Sequence, residues 1–224
     1  MKNNLKMSFD ANLSYSGSGT AIVELSGSHS NGAIASSPEY VSPTYSSSSE
    51  IYPGKYFEFN GFNTKIEYPH ISIIENMSWE AWIRCTGTVS SPNSGLLGSI
   101  NMFMGQVLPY IGFQGDRILF SNYIGTTQTY LRTPSNSVSL DRWYHIVATS
   151  ETASNKTLSR IYINGIKSSE SYESGTQSKY SGIDYNFAIG DGQGTDRYLG
   201  WENEYPTQWY PFKGSVAQVR VYNK

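Results

Sequence analysis

The sequence predicts an all-β chain folded as a two-sheet antiparallel β-sandwich of the jelly-roll kind, on three grounds. Short segments with a two-residue alternation recur along the chain, separated by turn residues. No segment carries a convincing amphipathic helical period. Gly, Ser, Thr, Asn and Tyr dominate over Ala, Leu, Glu and Lys, which suits strands and tight turns rather than helices. Many short strands without helices between them argue against alternating β–α units.

A chain of 224 residues lies within the range of one large β-domain and can bury a substantial core without staples. Only 15% of its residues are charged, while 14% are aromatic, the reverse of a disordered composition. One domain over 1–224 is therefore expected, with 1–54 a loop-rich N-terminal part that completes the sandwich.

Taken in order, residues 12–20 and 26–37 are rich in Ser, Gly and Asn and read as surface loops, with a strand from Thr20 to Leu25 between them. Ser42–Ser49 is the segment of lowest complexity and reads as a long loop. Lys55–Phe59 and Thr64–Tyr68 are strands that bracket Asn60-Gly61, which suggests a hairpin. His70–Asn76 could form one or two helical turns. Ser78–Cys85 alternates cleanly: Trp79, Ala81, Ile83 and Cys85 face one side, Glu80, Trp82 and Arg84 the other. Ile118–Phe120 and Thr127–Arg132 follow, then a long strand from Arg142 to Ser150. Ser159–Ile163 and Ile166–Ser169 flank Asn164-Gly165 directly, the strongest hairpin signal in the chain. Phe187–Gly190 and Gly214–Tyr222 complete the set.

Composition also excludes function classes. The formal net charge is -2 and no basic stripe is visible, so the electrostatic term behind most nucleic-acid binding is missing. The single cysteine, Cys85, rules out a disulfide framework or a cysteine zinc site within one chain and reads as a small buried hydrophobe. The opening residues, Met1 to Met7, have no apolar run after their lysines and do not read as a secretory signal. No stretch approaches the roughly 20 apolar residues of a membrane helix. No membrane partner is expected.

Catalytic patterns are missing too. Paired carboxylates at glycosidase spacing on one strand do not occur. Glu202-Asn203-Glu204 is the nearest acidic cluster and reads as a polar loop. His29, His70 and His145 sit in unrelated contexts, and His145 alternates with Trp143 and Val147 as a structural strand residue would. No serine elbow, phosphate loop or dinucleotide fingerprint is present. Asp191 and Asp196, in the Gly-rich loop 190–197, could supply two oxygens of a calcium site; a plain acidic turn is the alternative.

The expected ligand site is the aromatic segment 198–212. Tyr198, Trp201, Tyr205, Trp209 and Tyr210 sit there with Glu202 and Asn203, flat apolar rings beside convergent polar groups. That chemistry suits a sugar, a protein interface or a self-packed cover over a sheet edge. Trp82, on the face with Glu80 and Arg84, is a second candidate.

Four segments resemble the laminin G-like, concanavalin A-like superfamily, in that family's order. They are Phe57-Glu58-Phe59-Asn60-Gly61; Met77 to Ile83; Trp143 to Thr149 with Ile161 to Gly165; and Ala188-Ile189-Gly190 with Phe212 to Asn223. Phe9-Asp10-Ala11, Tyr15 to Thr20, Leu25-Ser26-Gly27 and Asn31-Gly32 resemble the opening of such domains in bacteriophage and bacterial surface proteins. One departure is that Ser215, not an acid, follows Gly214. The resemblance implies a concanavalin A-like jelly roll used in recognition: a non-enzymatic phage virion component, in capsid decoration or tail, that adheres to glycans or to neighbouring virion proteins. Such a protein would assemble in the host cytoplasm and could be a homo-oligomer. The alternatives are a glucanase-like enzyme with a displaced active site and a free soluble lectin.

Overall fold

A computed structural model of the chain describes residues 5–11, 21–22, 25–26, 31–34, 44–48, 54–61, 64–69, 76–87, 100–105, 109–177, 187–190 and 209–223. In chain order its strands are β1 (Leu5–Asp10), β2 (Ala21–Ile22), β3 (Gly32–Ile34), β4 (Thr44–Ser48), β5 (Gly54–Asn60) and β6 (Ile66–Tyr68). Then come β7 (Met77–Cys85), β8 (Ile100–Gly105), β9 (Tyr110–Gln114), β10 (Arg117–Ile124), β11 (Thr127–Arg132) and β12 (Trp143–Ala153). The last are β13 (Lys156–Ile163), β14 (Ile166–Ser174), β15 (Phe187–Ile189), β16 (Trp209–Pro211) and β17 (Lys213–Asn223). No helix occurs among the described residues.

These strands form two sheets. The first runs β14-β13-β12-β7-β17-β5-β4, with β1 also on β17; the second runs β11-β10-β9-β8-β15-β6-β3-β2, with β16 beside β8. Pairing is antiparallel except between β16 and β8. The residues before Gly54 contribute strands to both sheets, since β1 and β4 join the first and β2 and β3 the second.

The apolar faces of the sheets meet in one core. Strand β7 shows why the sequence dictates this: its burial alternates strictly, and Met77, Trp79, Ala81, Ile83 and Cys85 all point inward. Met7, Phe9, Phe57, Phe59, Ile146, Ile161, Val219 and Val221 come from the same sheet, and Ile66, Phe113, Ile118, Phe120 and Phe187 face them. Trp79 packs on Phe187 at 5.5 Å between ring centroids.

The interior also holds a polar knot. Asn122 Nδ2 donates to Ser150 Oγ at 2.9 Å and Ser159 Oγ at 3.3 Å, and Gln177 Nε2 donates to Asn122 Oδ1 at 3.2 Å. Those side chains, all buried, tie β10 of one sheet to β12 and β13 of the other, where unmade hydrogen bonds are costly.

Turn chemistry follows the sequence at β13–β14. Ile163 sits opposite Ile166, and the two residues between them, Asn164 and Gly165, adopt φ of 51° and 80°. Gly190 matters for another reason. Its φ is 90°, its carbonyl accepts the Phe212 N–H at 2.8 Å, and a Cβ there would lie 2.1 Å from the Phe59 ring. This accounts physically for the Ala188-Ile189-Gly190 signature.

Three expectations are corrected. Asn60-Gly61 does not make a hairpin, because β5 and β6 belong to different sheets; the turn carries the chain across the sandwich, and Thr64 Oγ1 caps it by accepting the Asn60 N–H at 2.9 Å. The supposed loop at Ser42–Ser49 contains strand β4, held by backbone pairing to β5. Within the supposed loop 26–37, Gly32–Ile34 pairs with β2 and β6. Backbone ladders do not need apolar side chains, so a serine-rich edge strand such as β4 leaves little trace in sequence.

Candidate functional site

Of the residues singled out from sequence, Asp191, Asp196, Tyr198, Trp201, Glu202, Asn203 and Tyr205 lie outside the described residues, as do His70 to Glu75. Trp209 and Tyr210 are not in a loop but in β16, whose backbone runs parallel to β8 with Trp209 level with Ile100 and Tyr210 with Asn101. No cluster of three metal-ligating side chains occurs among the described residues.

The second sequence candidate opens onto a larger site. The alternation that buries Trp79 sends Glu80, Trp82 and Arg84 to the outer face of the first sheet, all partly exposed. Register then brings partners alongside. His145 of β12 lies opposite Trp82, Trp143 opposite Arg84 and Val147 opposite Glu80. On the other flank Gln218, Arg220 and Tyr222 of β17 lie opposite Trp82, Glu80 and Ser78. Further out, Tyr162 and Arg160 of β13 flank Val147 and Thr149, with Glu170 and Tyr172 of β14 beyond.

These groups are bound to one another. Trp82 stacks on His145, their ring centroids 5.1 Å apart and their planes 29° apart. His145 Nε2 lies 3.1 Å from Glu80 Oε1, which also accepts Arg220 Nη1 at 2.9 Å, while Tyr222 Oη donates to Glu80 Oε2 at 3.2 Å. The hydrogen bond with His145 comes first in holding the Glu80 carboxyl below its ordinary pKa, helped by the Arg220 charge and opposed by burial. The guanidinium of Arg84 sits 5.5 Å from the Tyr56 ring centroid and 5.7 Å from that of Trp143, within cation–π reach of both. Although they stand on the outer face, Tyr56 and Trp143 are only 7% and 8% exposed. They pack with Ala217 and Trp82 into a small second hydrophobic cluster.

What results is a fixed platform: half-open rings among hydrogen-bonding groups that are themselves held in place. Flat apolar surface beside oriented donors and acceptors is the chemistry that binds sugars or peptide edges. Sequence reasoning found Trp82, Glu80 and Arg84. It missed Tyr56, Trp143, Tyr162, Arg220 and Tyr222, which come from distant strands and meet only through pairing.

Two acids of this face, Glu58 and Glu80, stand well apart. Glu58 is level with Arg84, to which it pairs at 3.5 Å, and Glu80 lies four residues away along β7 and two strands across. At ~3.3 Å per residue and ~4.8 Å per strand this puts their Cα atoms about 16 Å apart. Glu170 of β14, like Glu80, is held below its ordinary pKa, chiefly by its hydrogen bond from Lys167.

A second concavity, of about 300 Å³, lies where β7 ends, lined by Cys85, Phe113, Asp116, Asn136, Val138 and Leu140. Cys85 forms part of its wall, but the residue is 1% exposed and burial pushes its thiol pKa up, as expected of an inert structural cysteine.

A family model of the concanavalin A-like lectin/glucanases superfamily matches residues 60–224. The chain belongs to this superfamily. Comparison with curated proteins gives no match. Among solved structures this superfamily member is similar to domain 4 of an extracellular GH43 arabinanase from Geobacillus stearothermophilus in complex with arabinotriose. The TM-score is 0.61 at 19% identity, over 98% of this chain and 92% of that one. It is also similar to the binding domain of botulinum neurotoxin serotype D, with a TM-score of 0.61 at 11% identity, and it spans 49% of that domain's length. A third likeness, with a TM-score of 0.51 at 13% identity over 75% of this chain and 89% of the other, is to the Ruminococcus gnavus IT-sialidase CBM40 bound to α2,3 sialyllactose. At these identities the likeness establishes the concanavalin A-like sandwich fold.

Proposed function

We propose that the chain is a carbohydrate-recognition module without catalytic activity, and that it binds glycan across the outer face of its first sheet. The observation that carries this reading is Trp82: a partly exposed indole, stacked on His145, with Glu80, Arg84 and Arg220 on the same face. A sugar's C–H surface lies on such a ring while its hydroxyls exchange hydrogen bonds with the polar groups around it. Two of the similar structures hold arabinotriose and sialyllactose, which supports a glycan ligand. The wide separation of Glu58 and Glu80 supports binding without cleavage.

Glycan-array screening followed by calorimetry on the purified chain tests the reading. Binding in the wild type that Trp82→Ala abolishes, with no reducing sugar released on prolonged incubation, is the expected result. Binding unaffected by Trp82→Ala would move the site elsewhere, and released sugar would make the chain an enzyme. As to setting, we propose an adhesive component of a phage particle, in capsid or tail, on the strength of the N-terminal resemblance. Mass spectrometry of purified particles decides it, and their lacking this chain would count against it and leave a free lectin.

A further inference from the structure

The outer face of the second sheet carries a cation that no described acid neutralises. Ile118 and Phe120 of β10 point into the core, so Leu119, Ser121 and Tyr123 point outward. Register sets Arg132 and Tyr130 of β11 beside Leu119 and Ser121. On the other flank it sets Gly112 and Tyr110 of β9, with Gln114 level with Arg117. Within and beside the described strands of this sheet stand three cations, Lys65, Arg117 and Arg132. Lys65 Nζ lies 3.2 Å from Glu67, and Arg117 Nε lies 3.9 Å from Asp116. Against Arg132 lies no carboxylate of the described residues.

The guanidinium of Arg132 is nonetheless held in place. Its Nε donates to Gln114 Oε1 at 2.7 Å, and the Tyr130 ring centroid is 5.3 Å away, within cation–π reach. Gln114 belongs to β9, so the Arg132 side chain spans β10 at the level of Leu119, which is fully buried. With Nε engaged by the amide, the two Nη groups remain as a fork of donors. The surroundings are polar and ordered. Gln128 Nε2 donates to Ser121 Oγ at 3.0 Å. The phenol of Tyr110, whose pKa burial pushes well up, stands beside Ser121, Tyr130 and Arg132.

A planar fork of this kind matches a carboxylate, which takes two parallel N–H bonds from it. Of the large apolar side chains on these strands only Tyr130 is well exposed, at 39%, whereas the centre of a protein interface needs more apolar surface. An open ring beside an oriented cation suits a small ligand instead. We propose that Arg132 marks a second binding site, on the sheet opposite Trp82, which takes the carboxylate of an acidic sugar and lays the sugar ring toward Tyr130. This site is independent of the platform around Trp82, and either can fail without the other.

Titration of the whole chain with glucuronate, followed by NMR of the arginine Nε–Hε groups, tests it. The Arg132 signal, identified by its loss in Arg132→Lys, is expected to shift and saturate, and added salt to weaken the binding. Glucose should leave that signal unmoved, and acetate and inorganic sulfate should bind roughly threefold or more weakly than glucuronate. Arg132 is exposed, so Arg132→Lys should fold. The lysine keeps the charge but not the fork, and should lower the affinity for glucuronate about fivefold or more, as read from backbone amide signals of β11. Trp82→Ala should change none of this.

An Arg132 signal that glucuronate leaves in place would overturn the site. Equal affinity in Arg132→Lys would reduce it to a point charge and overturn the oriented fork. Acetate or sulfate binding as tightly as glucuronate would overturn the sugar assignment. Loss of glucuronate binding in Trp82→Ala would put the ligand on the first sheet and overturn the second site.

Discussion

Trp82 and His145 stand on adjacent strands and stack at 5.1 Å, and the far nitrogen of that imidazole holds Glu80. An aromatic platform and a charged network are thus joined through one histidine.

Replacing Trp82 by Ala removes the partly exposed ring but leaves the inward row of β7 untouched. Affinity for a bound glycan should fall about tenfold or more, ~1.4 kcal/mol. The thermal midpoint should move little, because the ring is only partly buried and its loss costs on the order of 1 kcal/mol. Calorimetry set against thermal unfolding separates the two effects.

Acid should expose the Glu80 network. The carboxyl is held below its ordinary value of 4.5 in the folded chain, so its ionised form stabilises the fold. That contribution is complete above the ordinary value and is lost as pH falls through the folded one. Urea midpoints measured from neutral pH to below 4.5 should decline in the wild type. The Glu80→Gln curve should be lower at neutral pH and flatter through the acid range. A parallel decline in both would assign the acid sensitivity to other groups.

Two glycine substitutions distinguish steric from conformational demand. At Gly165 φ is 80° and nothing lies within 4 Å of a Cβ, so Gly165→Ala should cost only backbone strain, about 1 kcal/mol. At Gly190 the same change also drives a methyl into Phe59, 2.1 Å away, and should cost roughly 2–5 kcal/mol. Denaturant titrations of the pair should rank them in that order.

Asn122→Ala should destabilise more than its modest size suggests. It leaves the buried hydroxyls of Ser150 and Ser159 and the Gln177 amide short of a partner, at about 2–3 kcal/mol in all. Equilibrium unfolding followed by tryptophan fluorescence provides the measurement.

How much of this was legible in the sequence depended on how locally each feature is encoded. The inward row of β7 could be read because one strand contains the whole pattern, and the β13–β14 turn because Asn164-Gly165 specifies its own geometry. Asn60-Gly61 misled, since the same dipeptide that closes a hairpin also lets a chain cross between sheets, and only the pairing partner distinguishes them. Strand β4 was hidden because Thr44–Ser48 carries no apolar alternation to read, although its backbone pairs with β5. The outer face was legible only at Trp82, Glu80 and Arg84. Tyr56, Trp143, Arg220 and Tyr222 reach it from strands far apart in the chain, and no spacing rule connects residue 56 with residue 222. The density of rings in 198–212 drew attention to a segment of which only the end, from Trp209 onward, is described.

Strand β17 slips by one residue between Val216 and Gln218, and Ala217 is the extra. Before the slip its neighbour is β5, after it β1, and the carbonyl of Ala217 itself takes the N–H of Ala11 at 2.9 Å. Shortening the chain by that single alanine would keep the valines in step, yet it would take away the carbonyl on which the amide of Ala11 closes the β1 ladder. One inconspicuous methyl-bearing residue thereby supplies the last rung between the first and last strands.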